Sequence, residues 1–360
     1  MTPTLTAEPP GLSVDQGFAM IRHRAFIRGI EPSDFDRVKA SVQNWADWPE
    51  AWAALAATDR DRASRYQQAG WHISAGQAQV RSGLAYHFAK LFAVQDDAAY
   101  REMTLNSVEA IRAGLTLLDH RFERIEVPFD GHYIVGNLRF PKGVERPPLA
   151  LLIPGTESVK EEFPRWEEEF LIRGLATLSM DGPGQGEVGF ERRIRPDYDV
   201  PVSTMLDAIA SRDDLDLTRV GAAGMSLGGY YALRAAAFEP RIRAVTVNGS
   251  PRNLGATWDL IAPMYKAKFI WNLGASSDAE AEQKALALDL APVIHRIEVP
   301  ALVVYGGADP LLNFEVDGRQ LVDELKRGEL WTFPEGNHGV TNFATEHLGP
   351  AADWMLANFA

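Results

Sequence analysis

There is no cysteine among the 360 residues. That absence removes disulfides, thiol nucleophiles, iron–sulfur clusters and Cys-ligated zinc from the available chemistry. Positive charge is also short: 36 Lys and Arg face 49 Asp and Glu, a net charge of −13. Such a field repels phosphate backbones and anionic lipid, so neither nucleic acid nor a membrane surface is expected as a partner. Long apolar runs are missing too. Stretches such as Pro148–Pro154 and Ala301–Tyr305 fall far below the roughly 20 residues that cross a bilayer. The start, Met1 to Asp15, is polar and carries paired Pro9 and Pro10, with no basic segment leading into an apolar one. No secretory signal is therefore expected, and a cytoplasmic location is. H-E-x-x-H and P-loop spacings are lacking as well, so neither metal nor cofactor is expected.

What is present is the material of a folded protein: 46% apolar and 24% charged residues, enough to build a core of ordinary size. The length suits two domains, or one large α/β domain with an appended module. Up to about residue 120 the apolar residues recur at spacings of three and four, which predicts an all-helical N-terminal domain over 1–120. Trp45, Trp48 and Trp52 are expected on one face of one of its helices, packed into core. Near Arg121 the period changes. Phe122, Ile125 and Val127, then Ile134, Val135 and Leu138, flank Asp130-Gly131, a hairpin turn dipeptide.

From there strands and helices are predicted to alternate. Leu149–Ile153 precedes Glu161–Arg173, Ala176–Met180 precedes Val202–Arg212, and Val220–Ala223 precedes Leu227–Phe238. Ile242–Val247, Ala301–Tyr305, Leu330–Phe333 and an amphipathic helix near Thr345–Phe359 follow. This alternation predicts an α/β domain over 121–360, a mostly parallel sheet flanked by helices. The stretch from Pro251 to Ile294 interrupts it with its own helical pattern and is expected to lie over the sheet's carboxyl edge as a lid. The acidic run Glu167–Glu169 reads as a solvated helix face.

The chemistry begins at Gly224-Met225-Ser226-Leu227-Gly228, a G-x-S-x-G sequence where a predicted strand gives way to a predicted helix. Glycines there permit a strained turn that lifts a serine hydroxyl above the sheet, beside the positive end of the next helix. A serine alcohol is a poor nucleophile at neutral pH and needs a base and a group to orient that base. Asp309 follows the strand Ala301–Tyr305 and His338 follows Leu330–Phe333. Both thus fall in loops at strand carboxyl ends, where parallel sheets build active sites. The order Ser226, Asp309, His338 is that of α/β-hydrolases. An oxyanion needs two fixed donors, expected from the N–H groups of Leu227 and, in the loop after Leu149–Ile153, Thr156, with Glu157 as the next candidate. Asp181–Glu187 lacks the G-x-G-x-x-G spacing and reads as a tight loop supporting the site.

These motifs, with Gly155–Glu162, Asp181–Glu187, Gly224–Leu233 and, more loosely, Tyr86-His87-Phe88, resemble one group of α/β-hydrolases. That group carries an N-terminal helical domain and includes 2,6-dihydroxypseudooxynicotine hydrolase and fungal polyketide-shortening pigment hydrolases. The chain also resembles the esterase branch of the fermentation/respiration switch proteins. The resemblance implies a serine hydrolase working without a cofactor on a small molecule, whose helical domain closes over the site, often as a homodimer. It further implies carbon–carbon cleavage beside the carbonyl of an aryl ketone or polyketide-like substrate. A carboxylesterase acting on small esters is the alternative within enzymes, and a prolyl-oligopeptidase-type peptidase is disfavoured by the helical N-terminus. A non-enzymatic binding or regulatory protein is the alternative of another class. Glu157, Trp258, Asp259, Tyr265, Tyr86 and His87, with His72, are the candidates for substrate contact. Pro154 stands where relatives more usually have histidine.

Overall fold

A computed structural model describes residues 11–92 and 98–359. The chain begins with α1 (Val14–Arg28), α2 (Pro32–Ser41), α3 (Asp47–Gln68), α4 (His72–Ala89) and α5 (Ala98–Leu118). Ser13 starts α1 through a capping box: its hydroxyl accepts from Gln16 N at 3.3 Å and Gln16 Oε1 accepts from Ser13 N at 2.9 Å. Gly29, at φ 110°, ends it. The helical core is aromatic: Phe18, Phe35, Trp48, Trp52 and Phe88 are buried together. Trp45 joins this cluster from the turn before α3 rather than from the helix itself. Its indole reaches Leu12 O at 2.8 Å, a bond that α3 would not have allowed it to be placed for by period alone.

The remainder is built on eight described strands: β1 (Phe122–Phe129), β2 (His132–Arg139), β3 (Pro148–Ile153), β4 (Ala176–Asp181), β5 (Asp216–Met225), β6 (Ile242–Asn248), β7 (Ala301–Gly306) and β8 (Gly328–Phe333). Their order in the sheet is β1-β2-β4-β3-β5-β6-β7-β8. β1, β2 and β4 pair antiparallel in succession and the rest are parallel. Asp130 and Gly131, at φ 48° and 77°, close the β1–β2 hairpin with the turn whose twist matches its strands. The expected mostly parallel sheet is thus present, from Leu149 onward with the strands in the predicted places.

Side chains alternate across the sheet with the period of two that a doubly covered strand requires. In β3, Leu149, Leu151 and Ile153 face the core shared with α7 (Asp199–Ala208) and α8 (Leu227–Phe238). Ala150 and Leu152 face α6 (Pro164–Leu171) and α12 (Ala344–Ala357). The predicted helix over Glu161–Arg173 is divided: a 3₁₀ turn spans Lys160–Glu162, and Pro164 opens α6, because proline suits a first helical turn and not an interior. The solvated face expected for Glu167–Glu169 is corrected at Glu167. That residue is 1% exposed, accepts from Arg139 Nη1 at 2.9 Å and is hydrogen-bonded by Ser179. A buried arginine on β2 needs this carboxylate, which a count of charges cannot reveal. Between β6 and β7 lie a 3₁₀ turn (Gly255–Leu260), α9 (Pro263–Asn272) and α10 (Asp278–Ala285), over the stretch read as a lid; α11 (Leu321–Glu324) precedes β8. Among the described residues no helix is long and apolar enough to cross a membrane.

Candidate active site

β5 ends at Met225, α8 begins at Leu227, and Ser226 between them adopts φ 57° and ψ −130°. A non-glycine residue held there stores about 1–3 kcal/mol of strain, so its surroundings must over-determine it. They do. Ser226 N donates to Asn248 O at 2.9 Å, and Ser226 O accepts from Gly229 N at 2.8 Å. A Cβ on Gly228 would lie 2.1 Å from Ile153 O, so only glycine lets the first turn of α8 close against the end of β3. Leu227 N–H, at the start of that helix, has no intrahelical acceptor and carries the positive end of the helix dipole.

The loop after β3 passes beside this elbow. A Cβ on Gly155 would stand 2.8 Å from Met225 O and 3.1 Å from Ser226 Cβ. Gly155, Thr156, Ser226 and Leu227 all line one cavity. The Asp181–Glu187 loop lies behind, held by the buried Lys160 ammonium, which reaches Asp181 at 3.1 Å and Glu187 at 2.7 Å. Arg124 clamps Glu187 with two bonds, 2.9 and 2.8 Å long.

On the other side of the elbow, the loops after β6, β7 and β8 meet. His338 Nδ1 lies 2.8 Å from Asp309 Oδ2, and the remaining carboxylate oxygen accepts from Leu311 N at 2.8 Å. Because an ionised carboxylate only accepts, this contact fixes the proton on Nδ1 and leaves Nε2 as the acceptor of the neutral ring. The Asp309 side chain is 1% exposed and that of His338 22%, so the carboxylate is sealed while the imidazole faces the cavity. Gly339, next to His338, packs so closely on Met225, next to Ser226, that a Cβ there would stand 2.8 Å from Sδ. His347 Nε2 braces the same loop, 3.1 Å from Val340 O, where Val340 itself is left-handed at φ 54°.

The cavity measures about 560 Å³. Its far wall was not legible in the sequence: it is α1, whose Gln16, Met20 and Arg24, four residues apart, present one face to Ser226 and His338. Ile261, Tyr265 and Phe269 close it from the segment between β6 and β7, and Leu311 and Leu312 from the loop after Asp309. The charges at its edge are compensated. Arg24 binds the buried Glu162 through two 2.6 Å bonds and stands 3.9 Å from Glu157, whose carboxylate is ion-paired with Lys268. Burial alone would raise Glu162, but the Arg24 guanidinium holds it well below the ordinary carboxyl range. Burial and the neighbouring Glu157 push the Tyr265 hydroxyl upward, so it enters as a neutral donor.

Of the candidates for substrate contact, Glu157 and Tyr265 line the cavity. Trp258 does not; it is 1% exposed and packs on Phe269. Asp259 and His72 are exposed away from it. Tyr86 is buried in the helical core under Arg60, and His87 is buried with Nε2 3.2 Å from Glu162. Its pKa is lowered to about 4 by burial, so it is a neutral partner of the Arg24–Glu162 pair. Helical period placed these side chains on their helices but could not say which face turns to the cleft.

Residues 150–347 match the model of the alpha/beta hydrolase family. The chain is 29% identical over 338 residues to 2,6-dihydropseudooxynicotine hydrolase of Paenarthrobacter nicotinovorans, covering 92% of this chain and 90% of that one. It is 32% identical over 226 residues to hydrolyase poxO of Penicillium oxalicum, covering 57% of this chain and about half, 53%, of the fungal protein. The crystal structure of 2,6-dihydroxy-pseudo-oxynicotine hydrolase superposes with a TM-score of 0.87 at 28% identity, over 94% of this chain and 96% of that one. The match to the family model spans more than half of the residues, and the chain is a hydrolase belonging to the alpha/beta hydrolase family.

Proposed function

We propose that the protein is a serine hydrolase that works through an acyl-enzyme and cleaves a carbon–carbon bond beside the carbonyl of an aryl ketone or polyketide-like small molecule. Ser226 is the nucleophile, His338 the base, and Asp309 the group that orients it. His338 Nε2 takes the Ser226 proton as Oγ attacks the carbonyl, and the imidazolium that forms is stabilised by Asp309. The N–H groups of Leu227 and Thr156 hold the oxyanion. On collapse, the imidazolium gives its proton to the carbon of the leaving group, which departs only where a hydroxylated ring or a β-dicarbonyl delocalises its electron pair. Water, deprotonated by the same histidine, then attacks the acyl carbonyl and releases the acid from Ser226.

The observation that carries this reading is the 2.8 Å contact of His338 with Asp309, on an imidazole that lines the same cavity as the strained Ser226. A neutral aromatic substrate is supported by the walls. Leu12, Ala19, Met20, Ile21, Ile261 and Phe269 are apolar, while Arg24 and Glu157 are neutralised by Glu162 and Lys268. A neutral aromatic body fits such a space better than a charged one. Likeness over nine-tenths of both chains to a pseudooxynicotine hydrolase points the same way. In this reading the described residues up to 120 form a helical domain that supplies one wall through α1, and the described residues from 121 onward form the catalytic domain.

The test compares rates on acylated phenolic ketones and matched aryl esters, with Ser226→Ala as the blank and fluorophosphonate labelling read at Ser226 by mass spectrometry. The expectation is labelled Ser226, ketone cleavage, and a loss on the order of 10⁴–10⁶ in the variant. Ester turnover alone would make the protein a carboxylesterase, and a variant as fast as the parent would remove Ser226 from the chemistry.

A further inference from the structure

Behind the oxyanion loop lies a buried amide with three polar partners, none of which the mechanism uses. Gln185, 2% exposed, donates through Nε2 to Pro154 O. Its Oε1 accepts from Gly182 N at 2.9 Å and from the hydroxyl of Tyr198. The orientation of this amide is forced, because a backbone N–H can only donate and Pro154 O can only accept. Tyr198 is fully buried and stacks on Tyr231 of α8, ring centroids 3.8 Å apart and planes 13° from parallel.

Pro154 also meets the first turn of α8, where a Cβ on Gly228 would stand 2.6 Å from Pro154 O. The carbonyl that Gln185 holds is thus also closely packed on the α8 backbone. That carbonyl belongs to the Pro154–Gly155 peptide, and Thr156 N–H belongs to the next one, separated from it by the φ and ψ of Gly155. Gly155 is itself seated against Met225 O and Ser226, where a Cβ would stand 2.8 and 3.1 Å away, so anchoring the Pro154 carbonyl fixes the start of the short loop from which Thr156 N–H is aimed. Where many relatives are expected to carry histidine, this chain has proline, which brings no side-chain donor of its own to the loop.

We infer that Gln185 is a positioning residue that, by holding the Pro154 carbonyl and being held by Tyr198, aims Thr156 N–H at the developing oxyanion. The inference rests on the serine-hydrolase reading above. Its energetic logic is preorganisation: a donor must already point where charge will appear, and an error of about 1 Å in such a site costs on the order of 10²-fold in rate.

Gln185→Glu isolates the contact. Ionised, the carboxylate still accepts from Gly182 and Tyr198 but has nothing to donate to Pro154, so rates are read at alkaline pH, where burial does not keep the carboxyl protonated and donating. The expected result is a kcat lower by roughly 10- to 100-fold per fluorophosphonate-titrated site, with KM within about twofold. Affinity for an arylboronic acid, which forms the tetrahedral adduct, should fall by the same factor, while a non-reacting aryl amide inhibitor should bind unchanged. Tyr198→Phe, which spares the donor to Pro154, should lose less than Gln185→Glu. If Gln185→Glu does not fold, Gln185→Met, neutral and of similar volume, should show the same split.

An unchanged kcat, or equal losses for boronic acid and amide, would overturn the inference, as would failure of both Gln185 variants to fold, since the contact would then be structural. An unlabelled Ser226 in the parent protein would instead overturn the serine-hydrolase reading.

Discussion

Arg24 grips Glu162 through two parallel bonds, Nε to Oε1 and Nη2 to Oε2, each 2.6 Å long, and so pins α1 to the chain just beyond the loop after β3. The same guanidinium lies 3.4 Å from His87 Nε2 and 3.3 Å from Ser158 Oγ. One side chain thus joins the helical region to the edge of the cavity. Glu162 is fully buried, and Arg28 Nε adds a further contact at 3.2 Å.

Arg24→Ala should therefore destabilise the fold and loosen the cavity wall together. Stranding one partner of a buried ion pair costs about 3–5 kcal/mol, and the surviving Arg28 contact places this case near the lower figure. Urea unfolding should show a lower midpoint at unchanged slope. KM for an aryl ketone should rise more than kcat falls. A stability equal to the parent's would mean that Arg28 alone satisfies Glu162.

Asp309→Asn should lower kcat by about 10⁴-fold, because an amide that donates to Nδ1 leaves the wrong ring nitrogen protonated. Thermal unfolding should change little, since Leu311 N can still find an acceptor in the amide oxygen. Kinetics on an acylated phenolic ketone, beside a melting curve, check both halves.

Gly155→Ala asks whether the close approach beside Ser226 is needed. The added Cβ would meet backbone, Met225 O at 2.8 Å, as well as Ser226 Cβ at 3.1 Å, and backbone cannot swing aside as a long side chain does. Overpacking of this kind costs about 1–3 kcal/mol. The expected signature is a modest fall in melting temperature with a disproportionate loss of fluorophosphonate labelling.

Stability should depend on pH through His347, which burial lowers to about 4 and which faces the Val340 carbonyl and, more distantly, Arg28. Above about pH 6.5 the imidazole is neutral in both states and contributes no slope. Between about 6.5 and 4 the unfolded chain takes up the proton first, so stability falls as pH falls, and the slope ends below 4. His347→Gln should lack that segment, so the difference between the two stability curves should change across this window, whatever other groups contribute. Parallel curves across this window would contradict the assignment.

Met20→Trp should narrow the mouth of the cavity without disturbing its chemistry. Met20 is 41% exposed and touches the Tyr265 hydroxyl through its sulfur at 3.3 Å. KM for a bulky aryl ketone should rise about tenfold or more, against little change for a small acetyl ester, the scale on which pockets discriminate by size. Equal effects on both substrates would place the route of entry elsewhere.

The sequence alone carried the parts of this protein that are local. Strand and helix periods, the Asp130-Gly131 turn and G-x-S-x-G are written within a few residues of one another. Chain order then allots Ser226, Asp309 and His338 to the ends of β5, β7 and β8. Tertiary structure decided whatever depends on which face meets which. Trp258 and Tyr86 became core, His87 a buried neutral partner, and Glu167 a buried counter-ion, while Arg24 and Met20, unremarkable in the sequence of α1, became cavity wall. Periodicity fixes a side chain's direction only relative to its own helix. The partner across the cleft, more than a hundred residues away in sequence, is chosen by burial and by the pairing of charges such as Arg24 with Glu162.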